Sequence, residues 1–348
     1  MMKQLSAISA VALTTLTFTT AWGLPSQSNS LTVALVWLLF MVLAALPLAF
    51  VEAAIVRRTL SLPLQGLAVM TRDADAPPLW RILAPLSLLV LVAMIAFAAN
   101  YSTHGLALSD HNALSVQSFP YLLVFLAIGF AWVGMKRLLP FLVVLIPAVL
   151  VLNALSAGQI GSLALLTPEQ WQHVATAAIL ANLSTLGVYA WLNIQRLTDD
   201  RASTVVLPLW LTQTVVGVAC ILVGAGKGNV SVVAYMLTTV FACAVLAEIV
   251  GRQLQDLKIA KPIAIGSVMV ATVALTVAAE FVVFDTVLKV VSLLTVVGLS
   301  ILVGWVMKIS HARKSLNFTS EGIYNLWRVG VRIVVPVVII WLLVGMFL

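Results

Sequence analysis

The chain has 348 residues, 62% of them hydrophobic and 9% charged, with a formal net charge of +7. A soluble domain carries roughly a quarter charged residues, so a core sheltered from water is excluded as the organising unit of this chain. Nucleic acid is not needed to explain the positive charge, which follows from where the Lys and Arg residues lie.

Crossing the hydrocarbon of a bilayer takes roughly 20 apolar residues as helix, because lipid offers backbone groups no partner. That length predicts about eleven spans, at 5–24, 30–54, 80–101, 119–136, 138–155, 171–195, 203–225, 230–251, 262–282, 286–307 and 326–347. Short polar or Gly/Pro-marked turns separate them, and the Leu139-Pro140 step divides the fourth from the fifth. With Lys3 inside, the alternate loops and span ends hold nearly all the basic residues, from Arg57 and Arg58 through Lys136, Arg137 and Arg252 to Arg328 and Arg332. Lys227 and Lys289 alone fall on the other side. So strong a positive-inside bias predicts an all-α polytopic membrane protein, one domain over 1–348. Its N-terminus is then cytoplasmic and its C-terminus outside, in the plasma (inner) membrane. Lys3 followed by an apolar stretch and small residues also fits a cleaved signal peptide, which would leave one span fewer.

Span one carries Thr14, Thr15, Thr17, Thr19 and Thr20 before Trp22, Gly23 and Pro25. Thr satisfies itself on the preceding turn, so the run reads either as packing between helices or as the lining of a cavity. Span two ends with Glu52, and an ionisable group inside a bilayer is expensive enough to be a first place to look for function. Span six brings Asn182, Ser184, Thr185 and Gly187 to its middle, where interhelical hydrogen bonding and an interrupted, solute-binding helix are both open readings. Cys220 and Cys243 lie within spans, with neither a disulfide framework nor metal-ligand spacing. Glu248 reads as a wet or Arg252-paired carboxylate. Glu280, Asp285 and Lys289 gather at the outer ends of spans nine and ten, Lys289 one turn after Asp285 as a boundary ion pair. The four His residues, His104, His111, His173 and His311, are scattered in or beside loops and read as solvated surface. No phosphate-binding loop, metal cluster or nucleophile–base motif occurs, so enzyme activity is not expected, nor a cofactor.

A series of motifs then runs along the chain. Trp22-Gly23-Leu24-Pro25 closes span one, and Pro47 to Glu52-Ala53-Ala54, followed by Arg57 and Arg58, closes span two. Met135 to Pro140 opens span five, Leu166 to Trp171 leads into span six, and Asn182 to Gly187 lies at its middle. Val303-Gly304-Trp305, Leu326-Trp327-Arg328 and Pro336 mark spans ten and eleven. In order and spacing these resemble the neurotransmitter/sodium symporter family of secondary transporters, over nearly the whole chain. The resemblance implies a LeuT-like five-plus-five inverted repeat, about 5–155 and about 171–307, plus a C-terminal helix at about 326–347. It implies a substrate site between helices one and six near the midplane, with Thr19, Thr20, Trp22, Asn182, Ser184 and Gly187. Glu52 would brace the unwound backbone of helix six.

The departures change the functional expectation. The family's Gly-rich run before the Trp is Thr17-Phe18-Thr19-Thr20-Ala21 here, so unwinding of helix one is not favoured by sequence. The sodium-ligand positions fall on Thr20, Gln213, Phe241 and Ala242, the last two of which offer a hard cation no side-chain oxygen. The outer-gate Arg falls on Gly23, the aromatic pair of helix three falls on Ile95 and Ala96, and the loop at 224–229 is too short for a lid. The expected function is a divergent secondary transporter of a small organic solute such as an amino acid, with degraded sodium sites. Coupling is to protons through Glu52, or absent. The expected partners are membrane lipid and the solute, and a homo- or hetero-oligomer is open. The alternative is a non-transporting scaffold or accessory subunit that retains the fold.

Overall fold

The computed structural model describes residues 2–27, 30–104, 118–157, 163–182, 186–199, 201–224 and 229–347. Among the described residues the chain is helical, without a strand. The first part runs α1 (Met2–Ala21), α2 (Ser30–Phe40), α3 (Leu46–Thr59), α4 (Pro63–Asp73), α5 (Leu83–His104), α6 (Phe119–Val133), α7 (Leu139–Leu142) and α8 (Leu145–Ala157). The second runs α9 (Pro168–Asn182), α10 (Ile194–Asp199), α11 (Ala202–Val223), α12 (Asn229–Asp256), α13 (Lys261–Ala278), α14 (Val283–Ile301), α15 (Ile309–Leu316), α16 (Glu321–Val329) and α17 (Val335–Gly345).

Among the described residues seven helical stretches are long and apolar enough to cross a membrane, and the protein is an integral membrane protein. They are Ser30–Thr59, Pro78–Ser102, Ala202–Val223, Val232–Asp256, Lys261–Ala278, Val283–Val306 and Glu321–Gly345, with Phe119–Val133 and Leu139–Leu155 apolar but shorter. Two expected spans fall outside this set for different reasons. α1 has the length, but its Ser and Thr residues dilute its hydropathy, whereas α9 stops after 15 residues at Asn182.

α1 runs through the middle of the bundle, with Val11, Leu13, Leu16 and Phe18 fully buried, and packs on α11, α12, α9 and α5. The apolar stretch of α12 is 83% buried, while those of α13 and of the last span are 28% buried and lie on the outside of the bundle. Gly217 on α11 lets the Trp37 ring of α2 lie against its backbone, since a Cβ there would stand 2.5 Å from the ring.

Prolines stand behind three of the irregularities in the spans. A five-residue π-turn at Met41–Ala45 precedes Pro47, and another at Gly330–Val334 precedes Pro336. Proline has no N–H and its ring crowds the carbonyl four residues back, so the turn before it widens and frees carbonyls. The same effect of Pro147 on the carbonyl of Val143 splits the fifth span into α7 and α8, where the hydropathy pattern predicts one segment over 138–155.

Other boundaries differ from the sequence expectation. Span four ends at Val133 rather than 136, at Gly134 with φ 102°. The last span begins at Glu321 rather than 326. The loop between spans two and three contains α4, whose buried Pro63, Gly66, Leu67 and Met70 follow helical spacing. Arg58–Asp73 at 2.6 Å ties α4 to α3, and Lys308–Asp75 at 3.1 Å ties the following turn to the end of the tenth span.

Candidate functional site

The site is a break in helix six. α9 ends at Asn182 and helix resumes at Ile194 with α10, and between them Leu186 to Asn193 form irregular turns. Gly187 holds φ 100°, a conformation that L side chains rarely adopt. A broken helix leaves N–H and C=O groups without intrahelical partners, and in lipid these must find protein partners.

Glu52 of α3, fully buried, supplies two of them. Its Oε2 accepts from the Gly187 N–H at 3.2 Å and its Oε1 from the Ala190 N–H at 2.5 Å. A carboxylate suits this task because it is acceptor-only, with two oxygens, and charge-assisted bonds are the stronger kind. On the other side of the break, Gln213 of α11 donates from Nε2 to the Asn182 carbonyl at 2.7 Å. The Asn182 amide donates to the Ala45 carbonyl at 2.9 Å, a group placed by the π-turn before Pro47. The Tyr189 hydroxyl lies 2.5 Å from Gln213 Oε1 and 3.3 Å from Asn182 Oδ1, and Asn193 donates to the Tyr189 carbonyl at 2.9 Å.

Helix one is different. α1 is an unbroken α-helix to Ala21, turning only at Gly23 with φ 71°. Thr14 donates back to the carbonyls of Ala10 and Val11, and Thr15 to that of Val11, so these hydroxyls serve their own helix. Thr20 meets Cys220 of α11 at 3.4 Å, and the Tyr235 hydroxyl of α12 donates to the Thr17 carbonyl at 3.1 Å. The Thr17 and Thr19 hydroxyl oxygens are buried without a hydrogen-bond partner.

Trp22 ends the helix in a clamp. Its ring stacks on Phe97 of α5 with centroids 4.4 Å apart, and the Lys289 ammonium stands 5.1 Å from its centroid. Its carbonyl lies 2.7 Å from His173 Nε2, which must therefore carry the proton. His173 is thus a bonded, half-buried residue rather than the solvated one its place beside a loop suggests.

The sequence-derived residues therefore fall into two sets with different partners. Asn182 and Gly187 join Glu52 and Gln213 at the break, while Thr19, Thr20 and Trp22 belong to helix one. Ser184 lies outside the described residues. Of the positions that the resemblance assigns to ion ligands, Gln213 is engaged with Asn182 and Tyr189, Phe241 packs on Phe130 with centroids 5.0 Å apart, and Ala242 is fully buried.

Tyr189 and Asn193 escape a reading of the sequence, though two polar residues following Gly187 are a visible signal. Glu248 accepts from the Met135 N–H at 2.5 Å and lies 3.5 Å from Arg252, a structural role at the α6–α7 turn. Asp285 and Lys289 pair at 2.5 Å, and Glu280 accepts from the Tyr121 hydroxyl at 3.2 Å.

No family model matches this sequence, and no curated protein matches it. A solved structure does: the crystal structure of MhsT in complex with L-phenylalanine, with a TM-score of 0.66 at 15% identity, covering 97% of this chain and 98% of that one. The two chains share the all-helical LeuT-like fold nearly end to end.

Proposed function

We propose that this chain is a secondary transporter of a small organic solute such as an amino acid, with helices one and six forming the solute path. The observation that carries the reading is the break in helix six, held by a buried carboxylate, within a fold similar end to end to MhsT in complex with L-phenylalanine. An interrupted helix offers a solute backbone groups that an intact one keeps to itself. The five-plus-five repeat, the count of about eleven spans, the cytoplasmic N-terminus and the plasma-membrane location belong to the same reading. The sodium sites are degraded in this reading, since Gln213 is engaged with protein groups and the side chains of Phe241 and Ala242 carry no oxygen. Coupling is through Glu52 protonation, or there is none.

Uptake into liposomes of purified protein tests this. Accumulation under a proton gradient and not under a sodium gradient is the expected result. Entry to equilibrium without accumulation is the result of the uncoupled case, and no entry of any amino acid under either gradient would overturn the reading.

A second reading, a non-transporting scaffold or accessory subunit, is favoured by one observation: α1 is unbroken, and Asn182 is bonded to Ala45 and Gln213. Stable co-purification of a partner, with a phenotype insensitive to Asn182→Leu, would support it over transport.

A further inference from the structure

We propose that the protein holds the headgroup of an anionic phospholipid on the outside of the bundle, where the end of α14 meets the α16–α17 junction, through Arg328, Arg332 and Trp305. Arg328 and Arg332 are the eighth and twelfth residues of the apolar stretch Glu321–Gly345, and so stand about 10 and 16 Å along it at ~1.5 Å per residue. A guanidinium left alone that far into a span is costly. Standing four apart on one helix face, the two also repel each other. Among the described residues neither is paired with a carboxylate, and the acidic group of their own helix, Glu321, is taken by Arg313 at 3.3 Å. A phosphate shared by the two arginines supplies the missing anion.

The fold holds one of the two in place. Pro336 has no N–H to offer the Arg332 carbonyl four residues back, and the Trp305 indole donates to that carbonyl instead, at 3.3 Å. In return Arg332 Nε donates to the Gly304 carbonyl, and its guanidinium lies 5.0 Å from the centre of the Trp305 ring. Gly304 permits the approach, since a Cβ there would stand 3.2 Å from Arg332 Cγ. This lock uses Nε alone and leaves the four outer N–H groups of Arg332, with all five of Arg328, for a ligand. The planar fork of a guanidinium matches two phosphate oxygens at once.

The surroundings fit a lipid rather than a free anion. Beside the arginines, Val329, Ile333 and Val337 are exposed apolar surface along which an acyl chain can lie, and the Trp305 ring is 59% exposed. Trp is enriched where a bilayer meets water, and basic pockets between spans suit anionic headgroups. The site stands whether or not the chain transports a solute.

The test is native mass spectrometry of the purified full chain in detergent. The probes are dioleoylphosphatidylglycerol and, with the same chains but no net charge, dioleoylphosphatidylcholine. The first phosphatidylglycerol is expected to bind at least ~10-fold more tightly than phosphatidylcholine, since one hydrogen bond to a charged group is worth about that factor. Arg328→Gln is expected to weaken phosphatidylglycerol ~10-fold and to spare phosphatidylcholine. Arg137→Gln, which alters an exposed basic residue at the α6–α7 turn, is expected to leave both affinities at wild type. Arg332→Gln also breaks the Gly304 bond, so Arg328→Gln decides the matter if that variant fails to fold.

Equal affinity for the two lipids or wild-type affinity in Arg328→Gln would overturn the site. So would an equal loss in Arg137→Gln, which would mean a diffuse basic surface. Glycerophosphoglycerol, the same headgroup without chains, is expected not to displace the lipid at equal concentration. Displacement as strong as that by phosphatidylglycerol itself would make the ligand a soluble anion and overturn the lipid.

Discussion

Helices one and six both bring polar side chains to the middle of the bundle, yet one stays whole and the other breaks. In α1 the polar residues are Thr, and Thr14 and Thr15 return their hydroxyls to the preceding turn, which leaves the helix unbroken to Ala21. In helix six a Gly follows the polar run, and Gly187 takes a φ of 100° inside the break, a backbone conformation no α-helix contains. The break persists because Glu52 and Gln213 reach it from elsewhere in the chain and Tyr189, within the break, bonds to Gln213. Polarity in a span is thus not what opens it. A residue that permits non-helical backbone, together with side chains that satisfy what the break exposes, is.

The most direct way to break the contrast is Glu52→Leu. It strips two buried N–H groups of their acceptor, and at about 1–3 kcal/mol each the protein is expected to lose about 2–6 kcal/mol. Thermal unfolding in detergent should show a large fall in midpoint. A midpoint equal to wild type would mean that the break does not depend on this carboxylate.

Gln213→Leu leaves the Asn182 carbonyl unpaired while Tyr189 turns to Asn182 Oδ1, for an expected loss of about 1–3 kcal/mol. Combined with Tyr189→Phe it should be non-additive by ~0.5 kcal/mol or more, since the two groups share one network. Strict additivity in that double-mutant cycle would argue against the network.

Gly187→Ala meets no close atom, its nearest neighbour being Gln253 Nε2 at 3.4 Å. Its expected cost of about 1–2 kcal/mol comes from the left-handed backbone alone. An unchanged midpoint would show that the chain relaxes to another conformation there.

Helix one supplies the smallest effect and the opposite sign. Thr17→Ala removes a buried hydroxyl that lacks a partner, so stability is expected to stay level or rise by up to ~1 kcal/mol in the same assay. A loss of several kcal/mol would mean that the hydroxyl has a partner after all, and that helix one is built on the same terms as helix six.

Much of this contrast is legible in the amino-acid sequence. Glu52, Asn182 and Gly187 stand out because a carboxylate, an amide and a Gly are costly or helix-weakening inside a span. The Thr run of α1 speaks against unwinding, since it lacks the Gly that makes non-helical backbone cheap. What the sequence hides is who meets whom. Tyr189 looks like any aromatic in an apolar stretch until Gln213 lies 2.5 Å away, and Lys289 looks like half of a boundary ion pair until its ammonium is found over Trp22. The helix α4 is hidden because its spacing of Pro63, Gly66, Leu67 and Met70 is too short for a span, and a hydropathy window tuned to spans passes over it.

By itself the sequence determined the solvent and the all-helical class. Lipid requires long apolar helices, excludes unpaired charge and sorts Lys and Arg to one side, and each of those demands is written locally along the chain. Only the tertiary structure decided the site. A helix satisfies its own backbone from residues four apart, so while it is intact its hydrogen bonds follow from local sequence. Once helix six breaks, its partners are Glu52 and Gln213, residues 135 and 31 positions away, and only the packing of α3 and α11 against the break brings them there.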